Sequence, residues 1–146
     1  MPNVEVSWEI DAPLDEVWRA VNDIEAYPGY MDNVRRVEIL SSDGDERVSS
    51  WSVLLKGSVL EWTELETVDL GQRRIDFRQL DGDLDLFAGA WQLDVGEGGR
   101  VTVSLDVEFE IGIPLLADML NPVAARALRD NSAQMLSEIE RQVAST

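Results

Sequence analysis

The chain contains no cysteine, no histidine and a single lysine, Lys56. Without cysteine there is no disulfide, no thiolate nucleophile and no Cys-ligated zinc or iron–sulfur cluster. Without histidine, Ser–His–Asp and Cys–His machinery and His-ligated metal centres are excluded. Proton transfer therefore falls to Asp, Glu, Tyr, Ser/Thr, Arg, Lys56 or water. No apolar run approaches the ~18–20 residues that cross a bilayer, and the first residues lack a signal-peptide pattern. A soluble, cytoplasmic protein with no membrane partner is the expectation. Basic residues are scarce: 12 Lys and Arg stand against 29 Asp and Glu, a net charge of −17. Such a surface repels nucleic-acid phosphates and anionic lipid, so nucleic acid is not an expected partner. Phosphate-cradling glycine loops are also missing. Val95-Gly96-Glu97-Gly98-Gly99-Arg100 lies between two strand patterns with no helix after it, which marks a hairpin turn. The acidic pairs Asp43/Asp45 and Asp81/Asp83 lack the EF-hand pattern and read as turns, so neither a metal nor a cofactor is called for.

What is present fits one domain spanning residues 1–146, long enough to bury a substantial core. Val4, Val6, Trp8 and Ile10 alternate with Glu5, Ser7 and Glu9 in a half-buried strand. Asp11-Ala12-Pro13 opens a helix whose apolar stripe is Leu14, Val17, Trp18 and Val21. A second short helix over 22–31 is broken by Pro28-Gly29. Strands follow at Val34–Leu40, Glu46–Leu55 and from Ser58 to near Val68, and again at Arg74–Leu80, Leu86–Val95 and Val101–Ile111. Hairpin turns join them, including one at Lys56-Gly57. After Gly112-Ile113-Pro114 a short helix spans Leu115–Leu120. Asn121-Pro122 then caps a long helix with Leu128, Ser132, Met135 or Leu136, Ile139 and Val143 down one side.

Six strands joined by hairpins form an antiparallel meander with one apolar face. Only the last helix is long enough to cover that face. The expected class is α+β: a seven-stranded curved antiparallel sheet wrapped around a long C-terminal helix, with two short helices after the first strand. Space between a curved sheet and one helix suits a ligand.

The stretch from Gly57 to Trp91 concentrates the chemistry. On the fourth strand Leu60, Trp62, Glu64 and Glu66 share one face, because alternate side chains point the same way. Phe77, Phe87, Trp91 and Phe109 fall on the inner face by the same alternation. If Trp62 is inside, two carboxylates lie inside with it, an arrangement that builds sites more often than cores. The competing reading leaves Glu64 and Glu66 in water or paired with Arg74 or Arg78 on the next strand. Likewise Trp62 and Trp91 serve either a ligand or plain packing, and Tyr27, Tyr30 and Met31 either contact a ligand or form a lid. Asn131 and Ser132 interrupt the apolar side of the last helix, lining a pocket or sitting at its wet edge, with the edge preferred.

End to end, the chain resembles the START-like, or helix-grip, superfamily, and within it the polyketide cyclase/aromatase and coenzyme Q-binding group. The resemblance rests on Ile10-Asp11-Ala12-Pro13 with Val17-Trp18, on Asn22 through Pro28 and on Gly57 through Trp62. Phe77-Arg78-Gln79-Leu80-Asp81-Gly82 and Phe87-Ala88-Gly89-Ala90-Trp91 complete it. In the single-domain aromatase/cyclases the pocket strand carries Trp, then Ser, then Arg at two-residue steps, with Arg as acid/base. Here those positions hold Trp62, Glu64 and Glu66, so only the tryptophan matches. Tyr27 and Trp91 match an aromatic of the second helix and the pocket tryptophan of the sixth strand.

The resemblance implies a cavity for a flat, hydrophobic, oxygenated ligand, and two function classes follow. One is a polyketide cyclase/aromatase or dehydratase. In it Glu64 and Glu66 act as acid and base, Tyr27 donates a hydroxyl, and Trp62, Trp91, Phe87, Met31, Tyr30, Trp51, Phe77 and Asn131 hold the substrate. Burial and mutual repulsion would raise the pKa of at least one glutamate toward neutrality, the condition for a general acid. The other class is a non-catalytic carrier of a quinone or lipid. An acyl carrier protein would be a partner only if Arg35/Arg36, Arg73/Arg74 or Arg126/Arg129 offset the acidic charge locally.

Overall fold

The computed structural model describes residues 3–55, 58–110 and 114–144, with the backbone alone for 58 and 114–121. The expected turn at Lys56-Gly57 and the Gly112-Ile113 junction lie outside the described residues. Strand β1 (Asn3–Ile10) leads into α1 (Leu14–Asn22) and a 3-10 helix at Ile24–Gly29. Six strands follow: β2 (Val34–Asp43), β3 (Glu46–Leu55), β4 (Ser58–Asp69), β5 (Arg74–Gly82), β6 (Leu86–Val95) and β7 (Val101–Glu110). The chain ends in α2 (Pro114–Ala144). The strands form one antiparallel sheet in the order β1-β7-β6-β5-β4-β3-β2, so β1 closes the meander by pairing with its last strand. This is the expected helix-grip arrangement.

Local chemistry explains the elements. Pro13 stands at the N-cap of α1 with Asp15 and Glu16 in the first turn, where acids suit the helix dipole. The helix buries Val17, Trp18 and Val21. In β7 every odd residue from Val101 to Phe109 is buried. One expectation at a proline holds and one is corrected. The short second helix is the 3-10 helix, with Pro28 inside it, and it ends at Gly29, at the expected Pro28-Gly29 break. Pro122 lies inside α2, which is continuous from Pro114, so the separate short helix and the Asn121 cap are not formed. Among the described residues no helix is long and apolar enough to cross a membrane.

Two glycines let the sheet curve tightly around its inner face. β5 carries a bulge: Thr63 and Glu64 are consecutive, but their partners are Asp81 and Gln79, leaving Leu80 extra. Just beyond it Gly82 sits opposite Trp62, where a Cβ would lie 2.4 Å from the tryptophan Cβ. At Gly89 of β6 a Cβ would lie 1.8 Å from the Asp106 carbonyl oxygen on β7. That oxygen belongs to the backbone and cannot swing away. Gly89→Ala is expected to cost at least about 2–3 kcal/mol as overpacking, read as a lowered urea midpoint with an unchanged slope.

Candidate functional site

The inner faces of β3 and β4 meet in register, and three consecutive inward pairs make up the site. Nearest the middle of the sheet Trp51 lies opposite Trp62, their rings stacked at 5.6 Å and 6°. Next come Ser49 opposite Glu64, then Arg47 opposite Glu66. Within each strand, members two residues apart also touch. Trp51 Nε1 donates to Ser49 Oγ at 2.8 Å, and Trp62 Nε1 donates to Glu64 Oε1 at 2.6 Å.

Both carboxyls are buried, with 3 % of Glu64 and 2 % of Glu66 exposed. The Trp62 face of β4 is thus the inner one, while Val59 on the opposite face is exposed. Glu66 is paired with Arg47, whose Nε donates to Oε1 at 2.5 Å. The expected partners Arg74 and Arg78 are not used: Arg74 pairs with Asp76 at 3.0 Å on the outer face, and Arg78 is exposed. Alternation puts both on the face opposite Phe77, away from Glu66. Arg47 Nη1 in turn donates to the backbone oxygen and Oδ1 of Asn22 at 3.1 and 3.0 Å, anchoring the pair to the end of α1.

Among the described residues Glu64 has no cation of its own at hydrogen-bond range. Burial pushes its pKa well above the usual carboxylate range, and a hydrogen bond with the neighbouring Glu66 adds to the rise. The Trp62 N–H and the Arg47 charge pull the other way without offsetting burial. The result is a carboxyl, Glu64, whose neutral form burial favours, beside Glu66, which is paired with Arg47.

Glu64 faces a cavity between sheet and helix. Its described lining includes Trp51, Val53, Leu55, Leu60, Trp62, Phe77, Phe87, Trp91, Leu105 and Val107 from the sheet. Leu128, Asn131, Ser132 and Met135 line it from α2. The empty space, counted out through the mouth, is about 540 Å³, but the room open to the centre of a water molecule is about 50 Å³. It is a narrow slot walled by rings: Trp62 packs on Phe87 at 4.9 Å and Phe87 on Phe77 at 5.7 Å. A multi-ring occupant enters only by displacing side chains.

The slot therefore collects Glu64, Trp51, Trp62, Phe77, Phe87, Trp91 and Asn131 of the residues named from sequence. Four others lie elsewhere. Glu66 sits behind Glu64 as its hydrogen-bond partner. Tyr27 is fully buried beside Trp51 and Trp91, and its hydroxyl donates to the Val21 carbonyl, so it braces α1 against the 3-10 helix rather than facing the slot. Burial raises its pKa well above the ordinary phenol value. Met31 is packed in the core, and Tyr30 borders grooves on the outer side of α2. Tyr27→Phe should lower stability by about 1–2 kcal/mol by orphaning a buried carbonyl, and leave ligand affinity within about twofold; calorimetry reads both.

Asn131 and Ser132 are 9 % and 4 % exposed and line the slot, correcting the preferred placement at a wet edge. Together with Leu128 and Met135 they occupy positions three, four and seven apart, one helical face. Sequence reasoning missed Arg47 and Ser49, whose alternation with Trp51 on β3 carried the same two-residue signal as Trp62, Glu64 and Glu66.

Among the described residues no group of three or more Asp or Glu could hold a metal ion. Comparison with known proteins agrees with the geometry. Residues 10–136 match the family described as polyketide cyclase/dehydrase and lipid transport. A search of curated proteins finds no match to the chain. Among solved structures, a protein of Thermus thermophilus is 27 % identical with a TM-score of 0.91, covering 99 % of this chain and 98 % of its own. The Zhui aromatase/cyclase of a Streptomyces species is 22 % identical with a TM-score of 0.87, covering 97 % and 92 %. A START superfamily protein of Mycobacterium smegmatis is 19 % identical with a TM-score of 0.81, covering 99 % of both chains. These last two likenesses establish the shared fold. From the family match over most of its length, carried on a helix-grip sheet around an apolar slot lined by a buried carboxyl, the chain belongs to the polyketide cyclase/dehydrase and lipid transport family.

Proposed function

We propose that the protein is a dehydratase-type polyketide cyclase/aromatase acting on a flat, oxygenated, hydrophobic substrate in the slot. The observation that carries this reading is Glu64: a buried carboxyl in an apolar wall, its pKa raised by burial and its Oε1 held by Trp62. A carboxyl kept neutral by burial is a general acid at ordinary pH. In the dehydration step Glu64 gives its proton to the β-hydroxyl of a β-hydroxyketone and the C–O bond breaks. The Glu64 carboxylate so formed takes the α proton, the C=C bond forms, and water leaves with Glu64 again in its acid form. Glu66, held as an ion pair by Arg47, steadies the Glu64 proton between cycles. Trp51, Trp62 and Phe87 offer ring faces for a flat chain.

The test is turnover of a linear poly-β-ketone thioester mimic by the wild type and by Glu64→Gln. Loss of product with retained binding supports the reading; an unchanged product profile sinks it. An acyl carrier protein partner gains little support from the surface, since Arg73 is tied to Asp15 at 2.7 Å and Arg36 lies 3.7 Å from Glu61. A released substrate is the better fit.

A second reading, a non-catalytic carrier of a quinone or lipid, has one observation in its favour. Ser49, Glu64, Glu66 and Arg47 each have an internal partner with no ligand present, and only Arg47 Nη2 among their described side-chain atoms is buried without one. Binding without turnover of any β-ketone mimic would select it.

A further inference from the structure

Among the described residues that line the slot, one carries a fully buried side-chain polar atom without a hydrogen-bond partner. Asn131 is buried on α2, its Nδ2 donates to the sulfur of Met135 at 3.6 Å, and its Oδ1 has no hydrogen-bond partner. The amide orientation follows from that contact: turned over, it would set a carbonyl oxygen against a thioether sulfur and leave its N–H groups unused. A carbonyl oxygen can only accept. The other polar groups on the described walls do not discriminate: a serine hydroxyl rotates to donate or accept, and Glu64 is engaged with Trp62 and Glu66. A buried acceptor left unmatched is costly, and a site holding one rejects occupants that cannot satisfy it.

We infer that Asn131 selects the ligand by its hydroxyl: the slot takes flat aromatic or enolic molecules that present an O–H to the α2 wall, and discriminates against those carrying only carbonyl or ether oxygens there. This rests on the slot being the ligand site, and it refines that reading. It sets phenols and enols, including the enol form of a β-diketone, above quinones in the oxidised state. The rings of the sheet wall take the flat body, while Leu128 and Met135 flank the amide on the helix side.

The experiment is a binding titration, by calorimetry and by intrinsic tryptophan fluorescence, with 1-naphthol, naphthalene and 1-methoxynaphthalene against the wild type and Asn131→Leu. Naphthol should bind the wild type about tenfold more tightly than the methoxy compound, the worth of one hydrogen bond to an otherwise orphaned acceptor. In Asn131→Leu the preference should fall to about twofold or less, with naphthalene binding unchanged or tighter. Equal binding of all three to the wild type overturns the inference while leaving the slot as the ligand site, and this comparison does not depend on the variant folding. A hydroxyl preference undiminished in Asn131→Leu also overturns it, by placing the selection on Ser132 or Glu64. If none of the three binds, the reading of the slot itself fails and takes the inference with it.

Discussion

Replacing Arg47 with methionine should cost about 3–5 kcal/mol of folding stability, the usual penalty for stripping one partner from a buried ion pair. Glu66 is 2 % exposed, and its carboxylate would be left beside a second carboxyl, Glu64, with no cation. The loss also reaches α1, because the arginine holds two oxygens of Asn22. Two contributions are thus removed at once, one from charge and one from tethering. They are separable by a double-mutant cycle. Glu66→Gln in the Arg47→Met background removes the stranded charge and should recover more than half of the loss. Urea unfolding of the four proteins at neutral pH gives the answer. A loss below about 1 kcal/mol for Arg47→Met would show that Glu66 finds other compensation, and the pair would then not be what keeps the carboxyls in place.

Glu64→Gln should lower turnover by about 10²–10⁴-fold, the range for removing a general acid, while binding stays within about threefold. Glutamine retains the geometry: its oxygen accepts from Trp62 Nε1, and its amide donates to Glu66 as the acid proton did. It cannot release a proton. The same variant carries a signature in stability that needs no substrate. Burial raises the Glu64 pKa in the folded protein above its value in the unfolded chain, so between the two values the folded state binds the extra proton. The stability contributed by that protonated carboxyl is complete below the unfolded value. It is lost as pH rises, at up to about 1.4 kcal/mol per pH unit, until Glu64 ionises in the folded state. Glu64→Gln abolishes that slope, so the variant should gain on the wild type as pH rises above the ordinary carboxylate range. Parallel stability curves over that rise would mean that Glu64 is ionised in the folded protein, and the acid role would go with it.

Much of this arrangement is legible in the sequence because a strand has a period of two. Trp62 fixes the inner face of β4, and Glu64 and Glu66 then follow whatever their charge. Phe77, Phe87, Trp91 and Phe109 obey the same rule on their strands. What the alternation does not reveal is which neighbour stands opposite. Arg47 is close to Glu66 because β3 and β4 pair in one particular register, and register depends on the turn between them as well as on pattern. For that reason the arginines of the following strand, Arg74 and Arg78, are plausible partners in sequence and wrong ones in space. Tyr27 illustrates a different limit. Its ring belongs with the slot aromatics, but a hydroxyl takes the nearest buried acceptor, and Val21 lies six residues back along the same chain. Asn131 and Ser132 are ambiguous in sequence because a polar pair on an amphipathic helix marks either a wet edge or a lined cavity. Only the packing of α2 over the sheet, which buries both against the slot, decides between the two.

The three inward rows on β3 and β4 bear on how such sites diverge. The serine and arginine that the resemblance to aromatase/cyclases leads one to expect beyond the tryptophan have no counterpart on β4. Side chains of those types stand one strand over, as Ser49 and Arg47, in the same order away from Trp51. Directly opposed side chains on antiparallel strands have Cβ atoms only about 4.5–5.5 Å apart. A lineage can therefore pass a functional group from one strand to its neighbour and keep it within reach of the same substrate atom. Ancestry traced position by position would score that exchange as a loss. Depth along the two strands, counted from the tryptophan pair, would reveal such an exchange.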